Sequence, residues 1–195
     1  MGRGAGFVPM ISLILALTAC GGPSEGGTAR EAAGAIQSQY QDMESFSAQV
    51  QLTADYGQRV YTFDLTAEGD GEETVLTLTQ PDLVAGVTAR MDGEDNVLEY
   101  DGLILETGPL DEEGLSPLSA VPVMLEAAGE GYITECLWAE ENVLQVRLGD
   151  PERVSGQGRE ILLWFAADTG ALTQGEIWSD GVRVIQCEYT DFTKQ

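Results

Sequence analysis

The sequence predicts an α+β domain: a strongly curved antiparallel β-sheet with a long N-terminal helix and a short inserted helix. Three observations lead there. Apolar residues recur at helical spacing early in the chain, between Ala29 and Phe46. From Phe46 onward the spacing becomes two and holds through most of the remainder. One proline-bounded segment, beginning near Pro117, interrupts that alternation.

The N-terminal helix is expected from the stripe Ala29, Ala32, Ala33, Ile36, Tyr40 and Met43, with Thr28 as N-cap and Glu31 at capping-box spacing. Its small residues would let it lie close to a sheet. The strands then follow in order. Phe46, Ala48, Val50, Leu52 and Ala54 alternate with polar neighbours, and Tyr61, Phe63, Leu65 and Ala67 do the same after a turn near Gly57. Leu76 and Leu78 come next, then Ala85 to Met91, and then two strands around the hairpin signal Asp101-Gly102. Alternation of this kind marks an antiparallel sheet with one covered face.

After the acidic loop from Pro109 to Pro117, Leu118, Val121, Leu125 and Ala128 outline the inserted helix, with Pro122 near its first turn. Strands resume at 132–139, 143–148, 159–167, 172–179 and 182–191. The run Ile161 to Phe165 is apolar on both faces, so that part of the sheet is expected to be covered on both sides. About ten strands are too many for a flat open sheet, and curling around a helix is the natural solution.

Residues 1–20 read as a targeting segment. Arg3 precedes an apolar run from Phe7 to Leu17, too short to span a bilayer and suited to a signal-peptide core. It ends in Leu17-Thr18-Ala19-Cys20, which resembles the bacterial lipobox and implies cleavage before Cys20 and lipidation of its thiol. The domain organisation expected is therefore a lipoprotein signal peptide at 1–19, a lipidated Cys20 with a flexible tether to residue 28, and one domain at 29–195. Two acyl chains anchor stably where one is marginal. The protein is expected at the extracytoplasmic face of the cell membrane, its acidic body standing off an anionic surface.

Composition removes several functions. The net charge of −24, from 33 acidic and 9 basic residues, argues against nucleic-acid binding. The absence of His removes Ser-His-Asp and Cys-His catalysis and His-ligated zinc. With Cys20 used for lipid, Cys136 and Cys187 remain. An extracytoplasmic setting permits a disulfide between them, and the alternative is two separate buried thiols. Asp92 to Asn96 offers oxygen ligands but lacks the spacing of an EF-hand, so a hairpin turn is expected there and no metal or cofactor.

The order of these features resembles the LolA/LolB-like lipoprotein-localisation superfamily, closest in look to its GerS-type germination lipoproteins from spore-forming Gram-positive bacteria. The likeness lies in Tyr40-Gln41-Asp42-Met43-Glu44-Ser45-Phe46, in Thr77-Leu78-Thr79-Gln80-Pro81 with Gly86 after it, and in Ile185 to Phe192. The resemblance implies an incomplete barrel over an apolar cavity and no catalytic residue. Carrier members hold acyl chains, whereas the germination branch binds and regulates a cortex-modifying amidase.

The function expected is a non-catalytic binding module, a protein partner or regulator of the germination-lipoprotein kind. Candidate cavity residues are Leu76, Leu78, Val87, Met91, Leu98 and Tyr100 on strands, with Val121 and Leu125 on the lid. The acidic loop Asp111-Glu112-Glu113 could steer a basic partner. Lipid or acyl binding in the cavity is the alternative, and a carboxylate-based cell-wall glycosidase the remote one. The open edge of such a sheet also allows two copies to pair.

Overall fold

The computed structural model describes residues 1–2, 25–92, 96–108 and 111–195. The sequence-predicted signal peptide and lipidation site, Cys20 included, lie outside the described residues, as do Pro109 and part of the Asp92–Asn96 turn.

Helix α1 (Glu25–Gln41) opens the described fold. A meander of six strands follows: β1 (Phe46–Asp55), β2 (Val60–Gly69), β3 (Thr74–Gln80), β4 (Thr88–Met91), β5 (Asn96–Tyr100) and β6 (Leu103–Glu106). Helix α2 (Ala120–Glu130) leads to a second meander, β7 (Ile133–Glu140), β8 (Val143–Gly149), β9 (Arg159–Ala166), β10 (Ala171–Ser179) and β11 (Val182–Lys194). All pairings are antiparallel.

The two meanders form one open sheet of 11 strands in the order β6-β5-β4-β3-β2-β1-β11-β10-β9-β8-β7. First and last strands meet along a seam that pairs Phe46 with Lys194 and Ala54 with Ile185. Strands β6 and β7 are therefore the two free edges of the sheet, and helix α2 lies between them in the chain. Helix α1 lies on β7, β8 and α2; α2 lies on α1, β9 and β10. This is the α+β architecture with a curved, unclosed sheet that the alternation predicts.

The helix stripe is read correctly: Ala29, Ala33, Ile36 and Tyr40 are all buried. Its ends are not. Helix α1 starts at Glu25, so the last residues of the expected tether are helical, and the Trp138 indole N–H donates to the Thr28 hydroxyl at 3.4 Å. It stops at Gln41, because Phe46 belongs to the seam, stacked on Phe192 with ring centroids 6.5 Å apart.

Helix α2 begins at Ala120 rather than Pro117, after a turn in which Ser116 and Ser119 bond to each other. Pro122 is its third residue, where the backbone N–H has no intrahelical partner to lose. The side chains of Gln37 and Gln41 on α1 cap its far end, donating to the carbonyls of Gly131 at 2.8 Å and Gly129 at 2.9 Å. Strand β4 is also shorter than expected, since the Val84 N–H turns back to the Pro81 carbonyl and Gly86 adopts φ +87.

On β9 the expected two-sided burial holds. Leu162 is buried on the convex face, between Arg147 and Glu176 in register. The loop after β8 folds over that face, held by the Ser155 hydroxyl and the Gly156 N–H on Glu160.

The cysteines form no bridge. Cys187 sits on β11 and Cys136 on β7, with three strands between them, and both are free thiols. Four steps of ~4.8 Å separate two such strands in a sheet, far beyond the ~7 Å that a disulfide can span.

Candidate functional site

A groove of ≈ 650 Å³ opens at one end of the sheet, between α2 and the turns of the first meander. Its floor is apolar: Tyr40 and Met43 from α1 and its exit, Phe46 of β1, Met91 of β4, and Val123 and Leu125 of α2. Its walls are acidic. Glu72 and Glu73 come from the β2–β3 turn, Asp92 from the end of β4, and Asp111 and Glu112 from the loop ahead of α2. Glu126 and Glu130 project from α2 one turn apart, and Glu44 follows α1. Among the described residues lining the groove there is no Lys or Arg.

Local geometry fixes these walls. Asp70 accepts the backbone N–H groups of Glu72 at 3.2 Å and Glu73 at 3.0 Å, which sets the β2–β3 turn and holds the Asp70 carboxyl below the usual carboxylate range. Asp111 fixes the shape of the acidic loop, accepting the backbone N–H groups of Glu113 at 3.1 Å and Leu115 at 2.7 Å. That loop is pinned twice more. The Arg159 guanidinium donates to the Glu112 carbonyl at 2.6 Å, and the Tyr56 hydroxyl donates to the Leu115 carbonyl at 2.8 Å. On the wall formed by the β2–β3 turn, Glu73 meets Arg90 at 3.1 Å.

A groove with this lining can take a ligand that is apolar on one side and cationic on the other. Converging carboxylates also raise the local concentration of positive partners and their association rate. The most buried carboxylates among the described residues lie elsewhere and are satisfied. Glu176 takes Arg183 at 2.7 Å and the Trp178 indole at 2.9 Å, and Glu160 takes Arg147 at 3.4 Å. Neither offers a free acid or base.

The eight sequence-predicted cavity residues divide in an orderly way. Register places the six strand residues on the concave face. One row runs Ala67, Leu76, Ala89, Leu98, Leu105 across β2 to β6; Leu78, Val87 and Tyr100 flank it, with Met91 at the other side. Leu76, Leu78, Met91, Val121 and Leu125 are buried, Val87 and Leu98 half-buried, and Tyr100 is exposed. Met91 and Leu125 reach the groove. Beneath the helices, between Ile36, Ala128, Leu163 and Phe165, the remaining gap is ≈ 10 Å³, space for about one water.

Sequence reasoning named the acidic loop at Asp111 and Glu112 and the acidic turns, but not Glu126 and Glu130, which read as the ordinary solvated side of a helix. It also missed the apolar row's continuation into β6, where Leu103, Ile104 and Leu105 are 74%, 69% and 62% exposed. Three adjacent apolar residues on an edge strand were the available signal.

No protein-family model matches the sequence, and no curated protein matches it. Solved structures do match. An uncharacterised conserved protein from Thermus thermophilus superposes with a TM-score of 0.51 at 7% identity, over 86% of this chain and 88% of that one. A LolA superfamily protein from Nitrosomonas europaea gives 0.44 at 11% identity, over 86% and 93%. The structure of the CwlD amidase from Clostridioides difficile in complex with the GerS lipoprotein gives 0.46 at 14%, over 85% and 95%.

The chain shares its fold with the Thermus thermophilus protein. A LolA superfamily protein and the GerS complex are among the further structures it superposes on. At these identities the likeness is one of fold, and what the groove binds has to come from its own chemistry.

Proposed function

We propose that this protein is an extracytoplasmic lipoprotein, anchored through Cys20, whose LolA-like body is a non-catalytic docking module for a basic protein partner in the cell envelope. The observation that carries the reading is the ≈ 650 Å³ groove, apolar along its floor and acidic around its walls. The small gap beneath the helices supports protein docking over carriage of an enclosed acyl chain. Regulation of a cell-wall amidase, the role that the sequence resemblance implies, is the finer form of the proposal.

Lipid or acyl binding is the second reading. It is favoured by the concave apolar row that leaves the covered core at Leu98 and ends exposed at Leu105.

The test is chemical crosslinking in the producing cell's envelope, with the native chain beside a variant carrying Glu126→Lys and Glu130→Lys. A companion protein that crosslinks to the native chain, dissociates as salt rises and is lost in the variant supports the proposal. A companion indifferent to both changes contradicts docking at the groove.

A further inference from the structure

The two free edges of the sheet are built differently. Strand β7 carries register irregularities between Ile133 and Glu135 and between Trp138 and Glu140, exposes Glu135 and Glu140, and has α1 lying against it. Bulges, charges and a covering helix are the ordinary protections of an edge. Strand β6 has none of them over Leu103-Ile104-Leu105. It pairs with β5 without interruption, contains no Pro or Lys, and carries its one charge at Glu106. Among the described strands, nothing pairs with its outer side.

The outward-facing backbone groups of β6 can be assigned. The Thr107 N–H donates to the Asn96 carbonyl at 2.9 Å, making Asn96 and Thr107 a hydrogen-bonded pair. Such pairs alternate along an antiparallel ladder. Leu98 with Leu105 and Tyr100 with Leu103 are then hydrogen-bonded pairs as well, the latter closing the two-residue turn at Asp101 and Gly102, where φ is 51 and 77. Ile104 and Glu106 are left with N–H and C=O groups aimed away from β5, at the open edge. Side chains alternate in step: Leu103 and Leu105 extend the concave apolar face, and Ile104 and Glu106 lie on the convex one.

We infer that β6 is a strand-addition site, taking an extended segment of a partner protein as a twelfth strand of the sheet. The backbone of Ile104 and Glu106 supplies the ladder, and the side chains select the sequence. The incoming segment carries apolar residues opposite Leu103 and Leu105, and Lys or Arg on the alternate positions beside Glu106. A second copy of this chain is the disfavoured occupant, because it would bring another −24 charges and place Glu106 near its own counterpart. Asn96, which lines the groove, bonds the Thr107 and Gly108 that follow β6, so edge and groove adjoin. The inference rests on the protein-docking reading but uses different atoms from the groove.

The test uses the full chain and a synthetic six-residue peptide of alternating Val and Lys, with binding followed by fluorescence anisotropy. A second peptide of the same sequence is N-methylated on alternate residues, so that one edge cannot pair. The variant Ile104→Pro removes an outward N–H while leaving the β5–β6 ladder intact. The expected result is binding of the first peptide, weakened about tenfold or more by N-methylation and by Ile104→Pro. Amide exchange at Ile104 and Glu106 should slow on binding in the native chain, a readout that does not depend on the variant folding. No binding of the first peptide, or binding indifferent to N-methylation without slowed exchange at these amides, overturns the inference. Salt-sensitive binding that is lost with Glu126→Lys and Glu130→Lys, yet indifferent to the β6 changes, would overturn it while leaving the groove reading in place.

Discussion

Met124 of α2 sits directly on Gly175 of β10, so close that a Cβ on that glycine would come within 2.5 Å of the methionine sulfur. Helix α2 is thus seated on the sheet through a residue with no side chain. The Tyr189 hydroxyl meets the same sulfur at 3.3 Å from the neighbouring strand. The position of α2, and with it the Glu126–Glu130 wall of the groove, depends on this contact.

Gly175→Ala should therefore lower stability by about 1–3 kcal/mol, the usual cost of overpacking a core. Urea denaturation reads this as a fall in midpoint with little change in slope. Gly34, inside α1 with nothing near its would-be Cβ, is the opposite case. Gly34→Ala should raise stability by about 0.5–1 kcal/mol through the unfolded chain's lost freedom. Equal effects at the two positions would mean that α2 is not seated as described.

The two thiols should differ in reactivity. Cys187 is fully buried, and burial pushes its thiol up to about 12, while Cys136 is half-buried. An alkylating reagent should modify Cys136 in the native chain and reach Cys187 only on unfolding. Peptide mapping after graded exposure would show it; simultaneous labelling would contradict the burial of β11.

The same burial sets the alkaline limit. Desolvation raises Cys187, Tyr189 and Tyr40 above their unfolded values, which lie at ~8.5 for Cys and ~10 for Tyr. The folded state then holds more protons than the unfolded one, so stability falls as pH rises above ~8.5, and for Cys187 it does so up to about 12. Lys194, lowered by burial, opposes this in part. Midpoints should be lower at pH 10.5 than at pH 8, and Cys187→Ala should flatten the lower part of that slope. A midpoint constant across this range would contradict the assignment.

Anchoring is testable apart from docking. Cys20→Ser should move the protein from the membrane fraction to the soluble extracytoplasmic fraction. Retention on the membrane would place the anchor elsewhere in the chain.

Much of the fold can be read from period alone. The strand residues Val50, Leu52, Ala54, Leu65 and Ala67 alternate in the sequence and are buried in the structure. Boundaries were less legible where a tertiary contact overrides local pattern. Phe46 continues the helical spacing of α1, yet its ring joins Phe192 at the seam. Pro117 suits a helix start, yet the Ser116–Ser119 turn displaces that start to Ala120. The seam itself joins residues nearly the full described chain apart, and no local signal encodes it. The groove depends on that long-range order too, since sheet curvature brings Glu72, Asp92, Asp111 and Glu126 together from four separate turns and helices. The six candidate strand residues share one face because alternation fixes faces; how far α2 extends over them is not encoded in any short stretch.

The most direct test is native mass spectrometry of the full lipidated chain, purified from its producing cell and compared before and after organic extraction and at low and high salt. Docking of a basic protein predicts the mass of the chain with its anchor, a stoichiometric protein companion that leaves as salt rises, and no further mass removed by extraction. A lipid-sized mass beyond the anchor, lost on extraction and indifferent to salt, would contradict it and make the concave face a lipid site.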